Sequence, residues 1–411
     1  MTFETLGLSQ PVLQALESRG YETPSPIQTQ AIPIALSGRD LFGIAQTGTG
    51  KTAAFMLPSI DRLMQGSFRA PKRGCRMLVL APTRELAGQI AESARDYAEF
   101  AQLRTNVVFG GTSVNRDRQN LSRGTDILVA TPGRLVDLVE QEALDLSSVE
   151  ILVLDEADQM LDLGFIHALK RIVGWLPKKR QTLLFSATMP KAIKTLAGQY
   201  LDNPAQVSVA PAATTAERVD QFVCFVGQTE KQALLTRVLR DGFAAKEIDR
   251  TLVFARTKHG ADRVVRKLGA SGIAAVAIHG NKSQAQRERA LGEFKDGKVR
   301  VLVATDIAAR GIDISGVSHV LNFELPNVAE QYVHRIGRTA RAGAAGIAIA
   351  FCAPDERSYL RDIQKLTKVT LQTMPLPDDL RREVEQVNAD SAAADALRHD
   401  AHGAISAERD C

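Results

Sequence analysis

The stretch RDLFGIAQTGTGKTAAFMLPSIDRLM, residues 39–64, places a short apolar run, a glycine-rich turn and a longer helical pattern in succession. Apolar runs followed by helical patterns recur at RMLVLAP, TDILVAT, VEILVLD and QTLLFSAT. Runs that are apolar on both faces and joined by helices are typical of a parallel sheet covered by helices on both sides. The first half of the chain is therefore predicted to form an α/β domain.

The alternation is interrupted once and then resumes. At 207–218 the sequence VSVAPAATTAER is small and polar and contains a proline, which is typical of a linker. After it come VDQFVCFV, RTLVFART, AAVAIHG, VRVLVATD, VSHVLNFE and GIAIAFCA, with helical patterns between them. We therefore expect two α/β domains in tandem. Because ligands of open parallel sheets bind beyond the carboxyl ends of the strands, the residues that follow each apolar run are the candidates for function.

The glycine-rich turn AQTGTGKT at 45–52 has the pattern G-x-x-x-x-G-K-[ST] of phosphate-binding loops, with alanine in place of the first glycine. Gly48 and Gly50 leave the backbone free to point N–H groups at phosphate oxygens, and the next helix adds its positive N-terminal end. Lys51 can reach the β- and γ-phosphates, and the Thr52 hydroxyl can bind Mg²⁺. A chance glycine-rich turn is the alternative, but the flanking strand and helix favour a nucleoside triphosphate site.

Composition excludes several classes of protein. Of the 411 residues 45% are hydrophobic and 24% charged, as in a folded globular chain, and no apolar run approaches the ~20 residues that span a bilayer. The N-terminal MTFETLGLSQ has neither a basic start nor an apolar core and does not resemble a secretory signal. Four widely spaced cysteines predict neither a disulfide framework nor a zinc site, so we expect a cytoplasmic protein that does not contact membranes. A reactive thiol at Cys75 is the alternative, which no neighbouring histidine supports.

Charge is distributed unevenly along the chain. The 51 basic and 47 acidic side chains give a net charge of +4. Residues 376–411 hold nine acids and four bases, a charge of −5, so residues 1–375 carry +9. Such an excess can form a surface that attracts phosphate polyanions, although an evenly scattered, solvated surface explains it equally well. The segment 376–411 is rich in alanine and aspartate with little apolar periodicity, and we predict a flexible acidic tail.

A second chemical signal is the string DEAD at 155–158, directly after the apolar run ILVL. An acid at the end of a neighbouring strand is where a P-loop enzyme holds its magnesium ion. Asp155 would bind the metal through water, and Glu156 would polarise the attacking water as a general base. An Asp-Glu pair after a strand is also a common start of a helix, so this prediction depends on the phosphate-binding turn upstream.

The DEAD string resembles the signature of the DEAD-box RNA helicases of superfamily 2, and further motifs agree in order over residues 3–375. They are a Q motif within 3–28 that ends in PSPIQ, AQTGTGKT, PTREL at 82–86, Gly110-Gly111, TPGR at 131–134, SAT at 186–188, LVFART, Gln284 with Arg287, ATDIAARGID at 304–313 and HRIGRTAR at 334–341. Ser25 stands where threonine is usual and Ala340 where glycine is usual. Among the subfamilies the chain looks most like the bacterial RhlE type, although its tail is short and acidic rather than basic.

The resemblance implies a fold of two tandem RecA-like domains, each a mostly parallel sheet with helices on both faces. The expected boundaries are 1–206 for the ATP-binding domain, 207–217 for the linker, 218–375 for the second domain and 376–411 for the tail. The implied activity is ATP-dependent unwinding of short RNA duplexes, with ATP and Mg²⁺ as cofactors and single-stranded RNA bound without base specificity. An ATP-gated RNA clamp or assembly scaffold shares the motifs. A DNA-directed translocase is a third hypothesis, which the Gln28 motif and the DEAD string disfavour. Partner proteins of a ribonucleoprotein or RNA-degradation assembly are an open alternative that the sequence does not identify. Nothing in the sequence marks an oligomerisation surface, so we expect a monomer.

The implied nucleotide site begins with the base. The amide of Gln28 can pair with the donor and the acceptor on one edge of adenine, and Tyr21 or Phe3 can stack on the base or pack around it. The resemblance assigns the ribose to Asp313. It assigns the phosphates and the metal to Ala45, Gln46, Thr47, Gly48, Thr49, Gly50, Lys51, Thr52 and Asp155.

The second domain is implied to complete catalysis. Arg338 and Arg341 lie three residues apart, and the resemblance makes them the arginines that stabilise charge at the γ-phosphate. The residues implied to couple hydrolysis to strand separation at the interface of the domains are Asp158, Ser186, Thr188, His334 and Arg335.

The implied RNA contacts follow strands in both domains. Hydroxyls, guanidinium groups and bare backbone suit contact with the sugar-phosphate chain, and no aromatic residue interleaves with them. The set is Thr83, Arg84, Gly110, Gly111, Thr131 and Arg134 in the first domain, and Arg256, Gln284, Arg287 and Thr305 in the second. We therefore expect binding that ignores base sequence and weakens steeply with salt.

Overall fold

The computed structural model describes residues 2–46, 48–66, 69–189, 191–209, 219–309, 316–339 and 346–407. The chain forms two compact units, Met1–Pro211 (unit 1) and Ala212–Cys411 (unit 2). Each unit is a parallel sheet flanked by helices, which confirms the α/β fold class predicted from the alternation of apolar runs and helical patterns. The predicted linker lies largely outside the described residues.

Unit 1 contains a seven-stranded parallel sheet in the order β3-β4-β2-β5-β6-β1-β7. The strands are β1 (Leu41–Ile44), β2 (Cys75–Leu80), β3 (Thr105–Val108), β4 (Thr125–Ala130), β5 (Ile151–Leu154), β6 (Gln181–Ser186) and β7 (Ala205–Ser208). Every residue of β2, β5 and β6 is buried, as expected for strands covered on both faces. The predicted start of the linker at residue 207 is wrong, because Val207 and Ser208 pair with Gly43 and Ile44 as part of β7.

Helices cover both faces of this sheet. They are α1 (Gln10–Ser18), α2 (Pro26–Leu36), α3 (Lys51–Gln65), α4 (Arg84–Tyr97), α5 (Val114–Leu121), α6 (Pro132–Glu140), α7 (Ala157–Asp162), α8 (Ile166–Trp175) and α9 (Lys191–Tyr200). Successive residues of β6 enter opposite cores, with Leu183 and Phe185 in one and Leu184 in the other. The strand ends are thereby fixed between two packed layers.

Unit 2 also contains a seven-stranded parallel sheet, in which the strands have the order β10-β11-β9-β12-β13-β8-β14. Its strands are β8 (Val219–Phe225), β9 (Thr251–Phe254), β10 (Ala275–Ile278), β11 (Val301–Ala304), β12 (His319–Asn322), β13 (Gly346–Cys352) and β14 (Gln372–Thr373). Its helices are α10 (Lys231–Ala244), α11 (Lys258–Ala270), α12 (Gln284–Lys295), α13 (Asp306–Ala309), α14 (Ala329–Ile336), α15 (Arg357–Thr367) and α16 (Leu380–Ala407).

The prediction of a flexible tail is wrong for its first part. Helix α16 packs against α10 and α11, and Leu380 and Val387 are 5% and 2% exposed within the core of unit 2. Glu383, an acid that suggested a solvated segment, forms an ion pair with Arg240 at 2.9 Å. The apolar residues are few but lie on one helical face, so burial stabilises this helix despite the polar composition.

Two expectations drawn from composition can be compared with the structure. Within the described ranges, none of the helices combines the length and the apolar character needed to cross a bilayer. Cys75 is buried in β2, and burial raises the pKa of its thiol to about 12. Because the thiolate is the reactive form, Cys75 is inert at neutral pH and the reactive-thiol alternative is wrong.

Candidate functional site

The phosphate-binding turn follows β1 at the carboxyl edge of the unit 1 sheet. Gly48 has φ +84° and Gly50 has φ +91°, so both adopt the left-handed backbone that favours glycine. A Cβ at Gly50 would clash with the side-chain amide of Gln28, which leaves room only for glycine there. The Thr49 hydroxyl donates to the Gln46 carbonyl at 2.7 Å and fixes the curl of the turn.

Lys51 and Asp155 form the charged centre of this site. Lys51 is 6% exposed, and its ammonium has no hydrogen-bond partner among the described residues. A buried cation without acceptors is unfavourable, and a bound phosphate would supply them. Burial raises the pKa of Asp155 to about 6, although the nearby charge of Lys51 opposes the rise. Together with the half-buried Thr52 hydroxyl, this carboxyl offers the oxygen donors that Mg²⁺ prefers.

Glu156 has a strained backbone. It precedes α7 with φ 52° and ψ 51°, a left-handed conformation that few residues other than glycine adopt. Its amide donates to Asp155 Oδ1 at 2.9 Å, and both side chains are 2% exposed. Strain of this kind concentrates at functional sites, so the turn supports a chemical role for the two neighbouring carboxyl groups.

Gln28, predicted to recognise adenine, also holds the phosphate-binding turn. Its Oε1 accepts from the Ser25 amide at 2.8 Å, and its Nε2 donates to the Gly50 carbonyl at 3.2 Å. One hydrogen and one lone pair of the amide remain for a base. Phe3 is 4% exposed and packs in the core, whereas Tyr21 is 47% exposed. Phe3 therefore supports the fold and presents no face for stacking, and Tyr21 is the aromatic residue that a ligand can reach.

Asp158 joins α7 to the turn after β6. Thr188 donates both its amide and its hydroxyl to Asp158 Oδ2, at 3.0 and 2.8 Å. The Ser186 hydroxyl donates to the Thr188 carbonyl at 2.7 Å, and the Ser186 carbonyl accepts from the amide of the buried Ala45 at 3.0 Å. Hydrogen bonds thus join the segments that follow β1, β5 and β6. Since these strands are neighbours, the predicted nucleotide residues occupy one half of the sheet edge.

The predicted RNA residues of unit 1 occupy the other half of the same edge, after β2, β3 and β4. Thr83 and Thr131 occupy the N-cap positions of α4 and α6 and are almost buried. The Arg84 guanidinium lies against the glycine pair, and a Cβ at Gly111 would be 2.5 Å from its Nη1. The glycines at 110 and 111 therefore make space for Arg84, and these five residues lie on the segments that follow three neighbouring strands.

Arg134 is held by contacts within unit 1. It is 7% exposed, forms an ion pair with the equally buried Asp117 and donates from Nη2 to the Thr112 carbonyl at 2.9 Å. These contacts attach α5 and α6 to the turn at Gly111. The terminal nitrogens of Arg134 are thus engaged inside the unit, and its direct contact with RNA stays a prediction.

The predicted RNA residues of unit 2 follow three neighbouring strands, β10, β11 and β9. Gln284 begins α12 and donates to Glu288 at 3.1 Å, and Arg287 lies half-buried one turn further on. Thr305 follows β11, and its carbonyl accepts from the Ala309 amide at 2.9 Å. The second unit thus gathers its predicted RNA residues at the carboxyl edge of its sheet, as the first unit does.

Arg256 is held by a buried carboxylate that sequence analysis missed. Glu356 is 1% exposed, accepts from Arg256 Nη2 at 2.6 Å and pairs with the fully buried Lys231. The amides of Leu325 and Ala353 donate to the same carboxylate at 3.2 and 3.0 Å. The Arg256 side chain stays 31% exposed, so its guanidinium is oriented and still reachable. Glu356 belongs to no recognised motif. An isolated acid after an apolar strand is usually an ordinary surface residue, so the sequence did not single it out.

Arg335 is held by several contacts within unit 2. It is 1% exposed and donates to both carboxylate oxygens of Asp306, at 2.6 and 2.8 Å. It also donates to the Asn322 side chain at 3.0 Å and the Glu324 carbonyl at 2.6 Å. All of these partners belong to unit 2 and fix α14 to the start of α13, and the coupling role of Arg335 stays a prediction.

His334 and Arg338 lie beside Arg335 and line a small pocket with it. Arg338 is 4% exposed and His334 is half-buried, so the end of α14 concentrates cationic and titratable groups. Three predicted site residues, Thr47, Asp313 and Arg341, lie outside the described residues.

A phosphate-binding turn, an adjacent buried acidic pair and a parallel sheet define unit 1 as a P-loop nucleoside triphosphatase. Comparison with known proteins gives the particular family. A model of the DEAD/DEAH box helicase matches residues 25–196, and a model of the helicase conserved C-terminal domain matches residues 230–343. The chain belongs to the DEAD-box ATP-dependent RNA helicases.

Individual relatives support this assignment over most of the chain. The DEAD-box ATP-dependent RNA helicase CshA of Bacillus cereus is 44% identical over 376 residues, which is 92% of this chain and 70% of CshA. The RNA helicase CrhR of Synechocystis is 42% identical over 386 residues, 94% of this chain and 77% of CrhR. The structure of S. cerevisiae Dbp5 bound to RNA and ADP BeF3 is 30% identical with a TM-score of 0.80, over 95% of this chain and 99% of that chain. These relatives carry other subfamily names, so the RhlE resemblance stays a prediction.

Proposed function

We propose that this helicase binds ATP and single-stranded RNA across its two units, and that closure on both ligands separates short RNA duplexes. The observation that carries the proposal is the division of one sheet edge in unit 1. The nucleotide residues follow β5, β6 and β1, the RNA residues follow β3, β4 and β2, and β5 and β2 are neighbours. A displacement of the segment after β5 when ATP binds can therefore act directly on the neighbouring segment after β2, which carries RNA residues.

ATP binding begins with the phosphate-binding turn. The Lys51 ammonium takes the phosphate oxygens as its missing acceptors, and Gln28 and Tyr21 meet the adenine. Thr52 and Asp155 would hold Mg²⁺, the latter through water, and the ion would neutralise charge on the phosphates. Glu156 accepts a proton from the attacking water. Arg338 and Arg341, brought from unit 2, stabilise the charge that develops on the γ-phosphate.

RNA is held by its backbone. In unit 1 the hydroxyls of Thr83 and Thr131 and the guanidinium of Arg84 offer donors to phosphate and sugar, and Arg256 offers one from unit 2. None of these groups carries a pattern for reading a base, so affinity depends on phosphate charge and falls with salt. We infer RNA rather than DNA as the substrate from the family to which the chain belongs.

Closure couples the two ligands. If both favour the closed arrangement, each tightens the binding of the other by the same factor. A closed groove that bends one strand excludes a regular duplex, so closure separates a few base pairs, and loss of phosphate reopens the units. Asp158, Ser186 and Thr188 connect the nucleotide half of the edge, and we assign them the coupling of hydrolysis to strand separation.

The test is an ATPase measurement with no nucleic acid, with single-stranded RNA and with single-stranded DNA of equal length, followed by a strand-separation assay on short RNA duplexes. We expect stimulation by RNA and not by DNA, and ATP-dependent separation. Equal stimulation by DNA would support a DNA translocase. Stimulation without strand separation would support an ATP-gated clamp.

We propose that the protein performs this activity in the cytoplasm.

A further inference from the structure

A groove of about 560 Å³ lies at the amino edge of the unit 1 sheet. It is lined by the last turn of α3 and by the segments that precede β2, β3 and β4. Because every strand of this sheet is parallel, the amino edge is opposite the carboxyl edge that holds the nucleotide and RNA residues. The groove is therefore separate from the site described above.

The rim of the groove carries uncompensated positive charge. Arg69, Arg104 and Arg123 are exposed, and their side chains form no hydrogen bond or ion pair within the part of the chain that the structure describes. Asp126 is the acid of the lining, and its Oδ2 accepts from the backbone amide of Arg104 at 2.9 Å. Three arginines thus line a space that holds one carboxylate, which already has a donor. Such a rim attracts phosphate groups.

The groove also contains a few apolar side chains, among them an exposed aromatic ring. Phe100 is 39% exposed, one of few large hydrophobic side chains that reach the surface in the described residues. Leu103 and Ala101 lie beside it. Arg76 also lines the groove, but Glu150 neutralises it at 2.6 Å. Single-stranded nucleic acids stack bases on exposed aromatic rings while basic side chains in the same groove hold their phosphates, and this groove offers both kinds of group.

We propose that this groove is a second binding site for single-stranded RNA. The Phe100 ring stacks on one base, and Arg69, Arg104 and Arg123 bind the phosphates on either side of it. All of the ligating groups belong to unit 1, so binding needs neither ATP nor closure of the units. The groove holds a flanking single strand on the enzyme between rounds of hydrolysis, when the two units have separated and the RNA site at the carboxyl edges is open. The inference rests on the proposed function for the identity of its ligand.

An acidic protein segment would satisfy the same charges. The accessible ring favours RNA, because a phenyl face beside guanidinium groups is matched by alternating bases and phosphates along one strand. The two ligands make different predictions, since only RNA binding requires both the ring and the arginines in the purified protein.

The test uses the full chain and a fluorescent 20-nucleotide single-stranded RNA in the absence of nucleotide. The double variant Arg104→Glu/Arg123→Glu should bind about tenfold or more weakly, and the slope of log affinity against log salt should fall by about 1.4 for two lost phosphate contacts. Phe100→Ala should weaken binding about fivefold or more through lost stacking. The matched controls are Lys170→Glu/Lys194→Glu, which reverses two exposed charges on α8 and α9, and Phe225→Ala, which removes a ring that is 40% exposed in unit 2. Both controls should bind like the parent protein.

The ATPase activity separates this inference from the proposed function. With saturating RNA the groove variants should keep the parent kcat, because no residue of the nucleotide pocket is changed. If the parent ATPase does not respond to RNA at all, the proposed function fails whatever the groove binds. If the ATPase responds but the groove variants bind RNA with the parent affinity and salt slope, the groove is not an RNA site. Equal losses in the controls would also overturn the proposal, since charge or aromatic content anywhere would then explain the effect.

Discussion

Thr188 donates its amide and its hydroxyl to a single carboxylate oxygen of Asp158, at 3.0 and 2.8 Å. This pair joins the turn after β6 to the helix that begins at the DEAD string, and we proposed above that it couples hydrolysis to strand separation. Thr188→Val keeps the amide bond and the shape but removes the hydroxyl. We expect the variant to retain most of its RNA-stimulated ATPase while strand separation falls about tenfold, as the loss of one hydrogen bond to a charged group predicts. Parallel ATPase and unwinding assays measure the ratio. Thr195→Val, on the exposed face of α9, is the matched control, and a proportional loss of both activities would remove the coupling role.

Glu156→Gln tests the general base. The amide keeps the size of the side chain in a 2% exposed site, so folding and ATP binding should persist. Turnover should fall by about 10²–10⁴, because a glutamine cannot accept the proton of the attacking water. ATP-dependent RNA binding, followed by fluorescence anisotropy, should remain and become long-lived. The control is Glu92→Gln on the exposed face of α4. Hydrolysis at the parent rate in Glu156→Gln would refute the assignment of the base.

Gly50→Ala tests the geometry of the phosphate-binding turn. A residue with φ +91° accepts a Cβ at a cost of about 1–2 kcal/mol, and here the Cβ would also displace the Gln28 amide. We expect ATP to bind at least about tenfold more weakly, measured with a fluorescent nucleotide. The control is Gly198→Ala, in the helical segment α9 where an added Cβ meets open space. That change should leave nucleotide affinity unaltered and raise stability by about 0.4–1 kcal/mol.

The central strands and the phosphate-binding turn were predictable because their signals are local. Strands such as β2 and β5 are buried along their whole length, which requires an apolar run, and the turn needs its glycines at fixed spacing. Strands β3, β7 and β14 were missed. They are short, lie at or near the sheet edges and are partly exposed, so their composition does not differ from that of loops. Helix α16 was missed for a related reason, because a few buried residues such as Val387 stabilise it.

In the candidate site, too, features with a local sequence signal were predictable and features that depend on tertiary contacts were not. The residues that would meet ATP were found from motifs, since their spacing is fixed by the ligand. The burial of Arg134 and Arg335 was not predictable, because it depends on partners elsewhere in the sequence, Asp117 for one and Asp306 for the other. Phe100 gave no signal at all. An aromatic residue at the end of a helix usually packs inside, and only the fold shows that this ring remains exposed in a groove.

Arg338→Ala tests the contribution of unit 2 to catalysis. Arg338 lies after α14 and is assigned to the γ-phosphate only in the closed arrangement, so nucleotide affinity should change less than about threefold. RNA-stimulated hydrolysis should fall by about 10³–10⁵, the effect of removing an arginine that stabilises transferred charge. The matched control is Arg361→Ala, an exposed arginine on α15. If hydrolysis survives in Arg338→Ala while the control is also active, the charge at the γ-phosphate is supplied elsewhere.

The buried pair Lys231–Glu356 gives a prediction about stability. Both side chains are at most 1% exposed, so Lys231→Met leaves a buried carboxylate with one cation fewer and should cost about 3–5 kcal/mol in the unfolding free energy of unit 2, measured by urea denaturation. Replacing both partners of a buried ion pair by apolar residues often restores stability. Here it should not, because Glu356 also accepts from Arg256 and from the amides of Leu325 and Ala353, which Lys231→Met/Glu356→Leu would leave without an acceptor. The exposed Lys365→Met on α15 is the control and should change stability by less than about 0.5 kcal/mol. A fully stable double variant would show that Lys231 is the main partner of Glu356, and that the carboxylate does not orient Arg256.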